Sequence, residues 1–435
     1  MHGRNRVESL NTAPPKQAPG SAVLQKTLNG EIHDWYRIVL GFPDHLVDGL
    51  IQEFDLGPRD TVLDPFCGTG TTLVECMKRG INAVGVDANP SSCFASKVKT
   101  SWDLDPDHLM EVAHKVWLRY KTFCRRTEAY KRDPTYKYLT DSGMIERGWI
   151  SEQPLRKALA IKESINQTRT TLSYKGPLWL ALLAEIVKGS SNVKFGPELY
   201  CGKKKEDAPV WRGFSRRVKA MADDLRTVRA VRYGQAQVVY GDSREEVTFS
   251  HWGSAKGPSA VICSPPYPTE HDYTRNSRLE LAFLEAVTDR ESLRVIKKLM
   301  IRSHTKGIYA YDEDRKLIRR DRNIMNLVAE IEERASEKKH GFARLYGTVI
   351  EEYFGGMRRH FRVLSTRIKK GTLCAYVVGD QSSYVQVHIP TADILGRLAE
   401  REGFKILENR KWRGRLVSTT LNEIDENILI MLRTG

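Results

Sequence analysis

The chain has 435 residues, of which 40% are hydrophobic, and its formal net charge at pH 7 is +15. A chain of this length can bury a substantial core and suits one large domain or two ordinary ones. The positive charge favours a polyanionic partner. The 7 cysteines include no C-x-x-C pair, which argues against a zinc site and against a disulfide framework, and no metal site is predicted.

Residues 1–31 are polar and predict a flexible N-terminal tail. This stretch contains Pro14, Pro15 and Pro19 and few large apolar residues. No secretory signal is visible, and the longest apolar run, around Leu178 to Ala184, is much too short to cross a membrane. We therefore expect a cytoplasmic protein with no membrane partner.

An aromatic segment, HDWY at residues 33–36, precedes the first predicted helix. That helix begins after Pro43, and Asp44 lies in its first turn, where an acidic side chain is favourable. Trp35 and Tyr36 are explained equally well as packing residues or as part of a ligand site.

Residues 61–72, TVLDPFCGTGTT, predict a buried strand that runs into a glycine turn and then a helix. Gly68 and Gly70 allow a tight turn, and residues 73–79 have helical spacing. A strand, glycine turn and helix form a nucleotide-type site. The dinucleotide fingerprint requires a third glycine where this sequence has Leu73, so a pyrophosphate ligand is disfavoured.

The next predicted strand, residues 83–87, ends in Asp87. This acid follows the glycines by about 20 residues, a position from which a carboxylate can hold ribose hydroxyls. Adenosine without a diphosphate fits best. A turn with a purely structural role is the alternative.

The third strand is predicted only at residues 237–243. The chain between the second and third strands is therefore far longer than an ordinary strand connection. Residues 101–235 are therefore predicted to form an insertion between two parts of one catalytic domain, residues 32–100 and 236–435. Four stretches of the insertion have helical apolar spacing: residues 109–120, 155–165, 178–187 and 214–231.

The insertion also places basic side chains beside aromatic ones. Lys203, Lys204 and Lys205 precede Trp211, and Arg125 lies close to Tyr130. Such mixtures suit phosphates and unstacked bases. The alternative is a solvated basic face over packed aromatics. We favour nucleic-acid contact and a role in target recognition.

A second motif follows an apolar strand, VIC at residues 261–263, which ends in Ser264-Pro265-Pro266-Tyr267. Together, DPFCGTGTT and SPPY resemble the S-adenosylmethionine-dependent DNA amino-methyltransferases, whose Ser-Pro-Pro-Tyr members mostly methylate N4 of cytosine. The resemblance runs from about residue 32 to the C-terminus and is loose between residues 100 and 235.

The resemblance implies an α/β fold, a doubly wound seven-stranded Rossmann-like methyltransferase sheet with a large, mainly helical insertion. It implies S-adenosylmethionine as cofactor and DNA as partner, with a restriction endonuclease as a candidate associated protein. Asp242 would accept from the adenine amino group, and the segment with Trp35 would close over the methionine end. The cofactor-binding residues expected are Trp35, Asp64, Phe66, Gly68, Gly70, Thr71, Thr72, Asp87, Asp242 and Ser243.

Ser264, Pro265, Pro266 and Tyr267 are the expected catalytic residues. The lone pair of an exocyclic amine is delocalised into the base, and acceptors on its two hydrogens draw the nitrogen towards a tetrahedral geometry. The Ser264 hydroxyl and the Pro265 carbonyl would be these acceptors. The prolines keep the loop rigid, and Tyr267 can stack on a base flipped out of the duplex. An ordinary turn after a strand is the alternative.

Methylation of a ring carbon would instead require a thiolate nucleophile. Cys263 should point to the opposite face of its strand from Ser264, and Cys67 lies in the glycine turn. Neither cysteine is a convincing nucleophile, so 5-methylcytosine is not the expected product.

The C-terminal part completes the predicted sheet. A long helical region is expected within residues 323–368, followed by strands at residues 372–379, 404–407 and 427–432. A helix at residues 391–402 joins the first two of these strands. The last strand should pair antiparallel, as in the family resembled.

The sequence thus favours a site-specific DNA methyltransferase that acts on N4 of cytosine. N6 of adenine is the closest rival, because a serine at the first position of the tetrapeptide does not exclude adenine. An RNA methyltransferase acting on N2 of guanine is the third reading. A nucleic-acid-binding module that has lost turnover is the alternative from another class.

Overall fold

The computed structural model describes residues 32–36, 41, 43–126, 128–195, 199–250, 257–337, 341–416 and 423–435. The tail predicted for residues 1–31 lies outside this part of the chain. Across the described ranges, no helix combines the length and apolar character that a membrane span requires.

Among the described residues, seven strands form one sheet and two more pair antiparallel as a separate hairpin. In chain order the strands are β1 (Thr61–Asp64), β2 (Asn82–Asp87), β3 (Val193–Phe195), β4 (Leu199–Cys201), β5 (Ala236–Tyr240), β6 (Ala260–Cys263), β7 (Leu373–Gly379), β8 (Phe404–Leu416) and β9 (Glu423–Arg433). The sheet order is β5-β2-β1-β6-β7-β9-β8. Strand β9 runs opposite to the other six strands of this sheet and so pairs antiparallel with both β7 and β8. The predicted doubly wound sheet with an antiparallel last strand is confirmed.

Single helices follow some strands, and runs of several helices lie between β2 and β3 and between β6 and β7. The helices are α1 (Asp44–Glu53), α2 (Thr71–Lys78), α3 (Pro90–Lys99), α4 (Pro106–Phe123), α5 (Pro134–Asp141), α6 (Glu152–Gln167), α7 (Leu172–Glu185), α8 (Val210–Val228), α9 (Tyr273–Asn276), α10 (Arg278–Phe283), α11 (Arg290–Leu299), α12 (Arg322–Ser336), α13 (Tyr346–Arg367) and α14 (Thr391–Arg401).

The central strands are buried on both faces because helices cover each side of the sheet. Successive residues of a strand point to opposite faces. Accordingly, Leu63 of β1 packs in the cluster that contains α13 and α14, whereas Val62 packs with α1 and α2. This double burial explains why β1 and β6 appear in the sequence as short, continuous apolar runs.

The insertion is mainly helical, as expected, and it shares a core with the catalytic part. Phe214 of α8 and Leu178 of α7 belong to the same buried cluster as Val74 of α2, Ala95 of α3 and Phe283 of α10. The division of the chain at residues 101 and 235 therefore stays a prediction about sequence organisation, because the hydrophobic packing is continuous across it.

Two features of the C-terminal part differ in extent from the prediction. The helical region expected within residues 323–368 consists of two helices, α12 and α13, and Gly341 between them has a φ of 103° that is incompatible with a helix. Strands β8 and β9 are longer than predicted, at 13 and 11 residues. Their extensions carry many charged residues, which obscured the strand pattern.

Lys162 provides a test of how the insertion is attached. Its buried amino group lies 2.7 Å from Asp133, 2.6 Å from Glu285 and 2.8 Å from the Thr135 hydroxyl. Removing one partner of a buried ion pair leaves the other charges uncompensated. We expect Lys162→Met to lower the free energy of unfolding by about 2 kcal/mol, as measured by urea denaturation.

Lys157→Met is the matched control on the same helix. Lys157 pairs with Asp207, whose side chain is 60% exposed, so this change should cost less than about 1 kcal/mol. Equal losses for the two variants would contradict the structural role assigned to Lys162.

Candidate active site

The glycine motif and the Ser-Pro-Pro-Tyr motif meet at the centre of the sheet. Strands β1 and β6 are parallel neighbours, with Val62 opposite Ala260 and Leu63 opposite Val261. The Thr72 hydroxyl at the start of α2 donates to the Ile262 carbonyl of β6 over 3.4 Å. The strand order reverses between β1 and β6. In open α/β sheets, ligands bind at the carboxyl ends of the strands at this point.

Asp87 fixes the shape of the glycine turn. Its two carboxylate oxygens accept from the backbone N–H of Gly68 and of Asn89, each over 2.8 Å. Gly70 has a φ of 85°, and a Cβ there would lie 2.6 Å from the Ser96 hydroxyl oxygen. The turn therefore needs glycine for its backbone angle and for space. It leads directly into Thr71 and Thr72, the first residues of α2.

Asp64 is fully buried at the end of β1, and only one of its two carboxyl oxygens has a hydrogen-bond partner among the described residues. Its Oδ1 accepts from the Phe66 N–H over 3.0 Å, while Oδ2 has no hydrogen-bond partner among the described residues. Burial raises the pKa of Asp64 to about 7. Buried polar atoms are normally paired, so an unpaired acceptor here fits a ligand that brings a donor.

Phe66, Asp242 and Ser243 are connected through His360 and Arg244. The rings of Phe66 and His360 lie 4.8 Å apart, and His360 Nδ1 donates to the Ser243 carbonyl over 3.1 Å. Burial lowers the pKa of His360 to about 4, so the ring is neutral at pH 7. The carboxylate of Asp242 accepts from Arg244 at 2.7 and 2.9 Å. Asp242, the expected acceptor for the adenine amino group, is therefore already bound by Arg244. Only its remaining lone pairs are open to a ligand.

The segment around Trp35 joins three parts of the structure. The Trp35 indole N–H donates to Asp224 of α8 over 2.8 Å, and the side chain is buried. His33 bonds Glu75 of α2 over 2.7 Å, and the Tyr36 hydroxyl donates to Glu280 of α10. The indole N–H of Trp35 is thus committed to the insertion.

Three side chains of the types that bind metal ions lie close together in and beside this segment. Donor atoms of His33, Asp44 and Glu75 lie within 4.8 Å of one another. Lys78 Nζ is 2.8 Å from Glu75 Oε1. The amino group of Lys78 therefore already supplies positive charge to this cluster.

The Ser-Pro-Pro-Tyr loop is held by tyrosines from distant elements. Tyr353 of α13 donates to the Pro266 carbonyl over 2.9 Å, and the Tyr267 N–H donates to the Tyr273 hydroxyl over 3.1 Å. The Tyr267 hydroxyl donates to the Val377 carbonyl of β7 and lies 3.3 Å from the Ser264 hydroxyl. These contacts position the loop.

Gly379, at the end of β7, allows the Tyr267 ring to approach. A Cβ at this position would come within 3.2 Å of the Tyr267 ring. The residue before the loop, Cys263, is fully buried, and so is almost all of Cys67. Burial holds the pKa of both thiols well above the usual range, so neither is a thiolate at pH 7.

Several supporting residues were not found from the sequence. Tyr353, Tyr273 and His360 contact the two motifs, but Tyr353 and His360 lie far from them along the chain. No local motif marks these positions, and their amphipathic helices account for them without a ligand. Asn89 was not identified either: its side chain caps α3 by accepting from the Ser91 N–H, and its own N–H donates to Asp87.

Comparisons with known proteins identify relatives of this site and of the whole chain. A family model described as "DNA methylase" matches residues 28–97. The chain is 26% identical over 427 residues to the type II methyltransferase M.BsoBI of Geobacillus stearothermophilus, covering 88% of this chain and 80% of that protein. It is 25% identical to the type II methyltransferase M.AvaI of Anabaena variabilis, covering 86% of this chain and 79% of that protein.

A solved structure, the rRNA methyltransferase aviRa of Streptomyces viridochromogenes, aligns with a TM-score of 0.34 and 10% identity, covering 95% of this chain and 94% of that one. The strand order of the sheet is that of a Rossmann-like methyltransferase fold. The matched model and the relatives confirm the resemblance to the S-adenosylmethionine-dependent DNA amino-methyltransferases.

The raised pKa of Asp64 predicts a pH-dependent cost to stability. Between the ordinary aspartate pKa and about 7, the unfolded chain has an ionised Asp64 while the folded chain keeps it protonated, so stability falls as pH rises. Asn cannot ionise. We expect Asp64→Asn to raise the thermal midpoint at about pH 8 by about 2 to 4 °C, and by less at about pH 5.

Differential scanning fluorimetry without ligand measures this difference. Asp141→Asn serves as the control, because the Asp141 side chain is exposed at the end of α5 and its replacement should change little at either pH. A stability gain for Asp64→Asn that is equal at both pH values would show that ionisation is not its cause.

Proposed function

We propose that this protein transfers a methyl group from S-adenosylmethionine to an exocyclic amine of DNA, at N4 of cytosine. The observation that carries the proposal is the pairing of β1 with β6, which puts the glycine turn and Ser264 side by side at the switch point of the sheet. A cofactor site next to a rigid loop of acceptors suits methyl transfer to nitrogen.

The residues proposed to hold the cofactor divide by chemistry. The bent glycine turn and Asp87 would hold the nucleoside, with Phe66 and Asp242 beside its base. Asp64 Oδ2 would accept from a cationic N–H group. When bound, S-adenosylmethionine supplies an electrophilic methyl group on a sulfonium. Thr71, Thr72, Ser243 and Trp35 complete the proposed set.

The Ser-Pro-Pro-Tyr loop is proposed to orient the amine. Ser264 and the Pro265 carbonyl would accept its two hydrogens and so turn the nitrogen lone pair towards the methyl group. Pro266 keeps the loop rigid, and its carbonyl is occupied by Tyr353. The Tyr267 ring, half-buried and held at its hydroxyl, would stack on the extruded base.

The relatives refine the proposal to a biological class. The relatives matched over most of this chain are named type II methyltransferases, which supports a partner role for DNA and suggests an associated restriction endonuclease. The serine that begins the tetrapeptide favours cytosine over adenine, and N6 of adenine is the rival target.

Mass spectrometry of nucleosides tests the target atom. Unmethylated bacteriophage lambda DNA is incubated with the protein and methyl-labelled S-adenosylmethionine, then digested. Labelled N4-methylcytosine is the expected product. Labelled N6-methyladenine would overturn the base assignment and keep the mechanism, whereas label found only when RNA is supplied would overturn DNA as the substrate. Binding to DNA without methyl transfer to DNA or RNA would favour a nucleic-acid-binding module that has lost turnover.

Ser264→Ala tests the role of the hydroxyl. We expect kcat for methyl transfer to fall by about 100-fold, because one acceptor for the amine is lost in the transition state. Affinity for the cofactor should stay within about twofold, since Ser264 lies on the base side of the site. Isothermal titration and a labelled-methyl assay measure the two effects.

Ser259→Ala is the control at the opposite end of β6, where the backbone N–H donates to Thr61. It should transfer methyl groups at close to the rate of the unmodified protein. Full activity of Ser264→Ala would remove the proposed acceptor from the mechanism.

DNA that contains 5-fluorocytosine distinguishes nitrogen from carbon methylation. An enzyme with a thiolate nucleophile forms a covalent adduct that the fluorine traps, and both thiols near this site are buried with raised pKa values. We expect no adduct that survives denaturing electrophoresis. A stable protein–DNA band would contradict an amine target.

A further inference from the structure

The hairpin of β3 and β4 is a part of the insertion that is linked through α9 to the catalytic loop. Lys194 pairs directly across from Tyr200. Because strand residues alternate between faces, Val193 and Leu199 point inwards and are buried, while Lys194 and Tyr200 point outwards. Tyr200 is 55% exposed. One face of the hairpin thus presents an aromatic ring next to an amino group.

The base of the hairpin is rigidly held. Asn192 is 1% exposed, and its side-chain amide donates to the Gly148 carbonyl over 2.9 Å while its Oδ1 accepts from the Lys205 N–H over 2.8 Å. Its backbone carbonyl accepts from the Gly202 N–H over 2.7 Å. The Lys205 amino group donates to the carbonyls of Gly189 and Ser191 at 2.7 and 2.8 Å. The exposed ring therefore stands on a fixed support.

Two contacts connect the hairpin to the catalytic loop. Arg275, on α9, donates to the Leu199 carbonyl over 3.4 Å. The same short helix begins with Tyr273, whose hydroxyl accepts from the Tyr267 N–H over 3.1 Å. Helix α9 therefore contacts both the Ser-Pro-Pro-Tyr loop and Leu199 of the hairpin. Tyr200 is the next residue after Leu199.

The surface around the hairpin is positively charged. Lys194, Lys203 and Lys204 are exposed, and Lys204 pairs with Glu206 at 3.0 Å, with both side chains open to water. The chain as a whole carries a net charge of +15. This surface complements a phosphate backbone better than it complements a basic or neutral protein.

We propose that the outer face of strands β3 and β4 contacts the DNA duplex next to the target base, with Tyr200 stacking on the base pair exposed there and Lys194 and Lys203 contacting phosphates. This inference rests on the proposed function. Extruding a base leaves an unstacked step in the duplex, and an inserted or stacked side chain compensates for part of that loss. An exposed aromatic ring on a hairpin that α9 links to the catalytic loop is suited to this role.

Tyr200→Ala and Tyr200→Phe test the stacking role. On lambda DNA we expect Tyr200→Ala to lower kcat/KM by about tenfold, since stacking on a base is lost. Tyr200→Phe keeps the ring and should retain at least half of the activity. Affinity for S-adenosylmethionine should be unchanged in both variants, which shows that the cofactor site is folded.

Leu172→Ala is the matched control within the insertion, because Leu172 is 85% exposed and lies at the start of α7. It should behave as the unmodified protein. In a separate variant, Lys194→Gln with Lys203→Gln should reduce the slope of log affinity against log salt by about 1 to 2, because two phosphate contacts are lost.

Two outcomes would overturn the inference. Full activity of Tyr200→Ala would exclude a stacking role, and an equal loss in Tyr200→Phe would point to the hydroxyl instead of the ring. If the unmodified protein transfers no methyl group to DNA, the proposed function fails while the hairpin is still judged by affinity for a fluorescent mixed-sequence duplex. There, Tyr200→Ala should weaken binding about fivefold, and unchanged binding would reject the hairpin as a DNA contact.

Discussion

The parallel pairing of β1 with β6 is the constraint on which the rest of the structure depends. The register of these two strands brings the ends of both motifs to the same edge of the sheet, although nearly 200 residues separate them in sequence. Each strand is short and buried on both faces, so its position is fixed by packing against helices on either side. The remaining contacts of the site refine a geometry that this pairing creates.

Around that pairing, hydrogen bonds from side chains to backbone groups hold the two motifs in place. Asp87 accepts from the Gly68 N–H of the glycine turn and from the Asn89 N–H after β2, and Tyr353 and Tyr273 hold the catalytic loop through its backbone. Asp64 differs from these groups, because its Oδ2 has no hydrogen-bond partner among the described residues and could accept from a ligand. A buried, unpaired carboxylate lowers stability, which is a common cost of a site prepared for a ligand.

Much of the fold could be predicted from local patterns, because β1, β2, β5 and β6 have short apolar runs and the glycine turn has a motif. The doubly wound arrangement and the antiparallel last strand followed from the resemblance and not from periodicity. What could not be predicted depends on contacts between distant residues. The attachment of Trp35 to Asp224 and of Asp242 to Arg244 involves side chains whose types also suit a ligand site. The β3–β4 hairpin has three residues in each strand, too few for a periodic signal.

The core that the insertion shares with α2, α3 and α10 limits how such a protein can diversify. An insertion with its own closed core could be exchanged between relatives as a cassette. Here, replacing α7 or α8 alone would leave Val74, Ala95 and Phe283 facing water or a poorly fitting surface. New variants of the insertion must therefore change together with the helices beneath it, so evolution of this region is expected to proceed by substitutions on its outer face and in the hairpin.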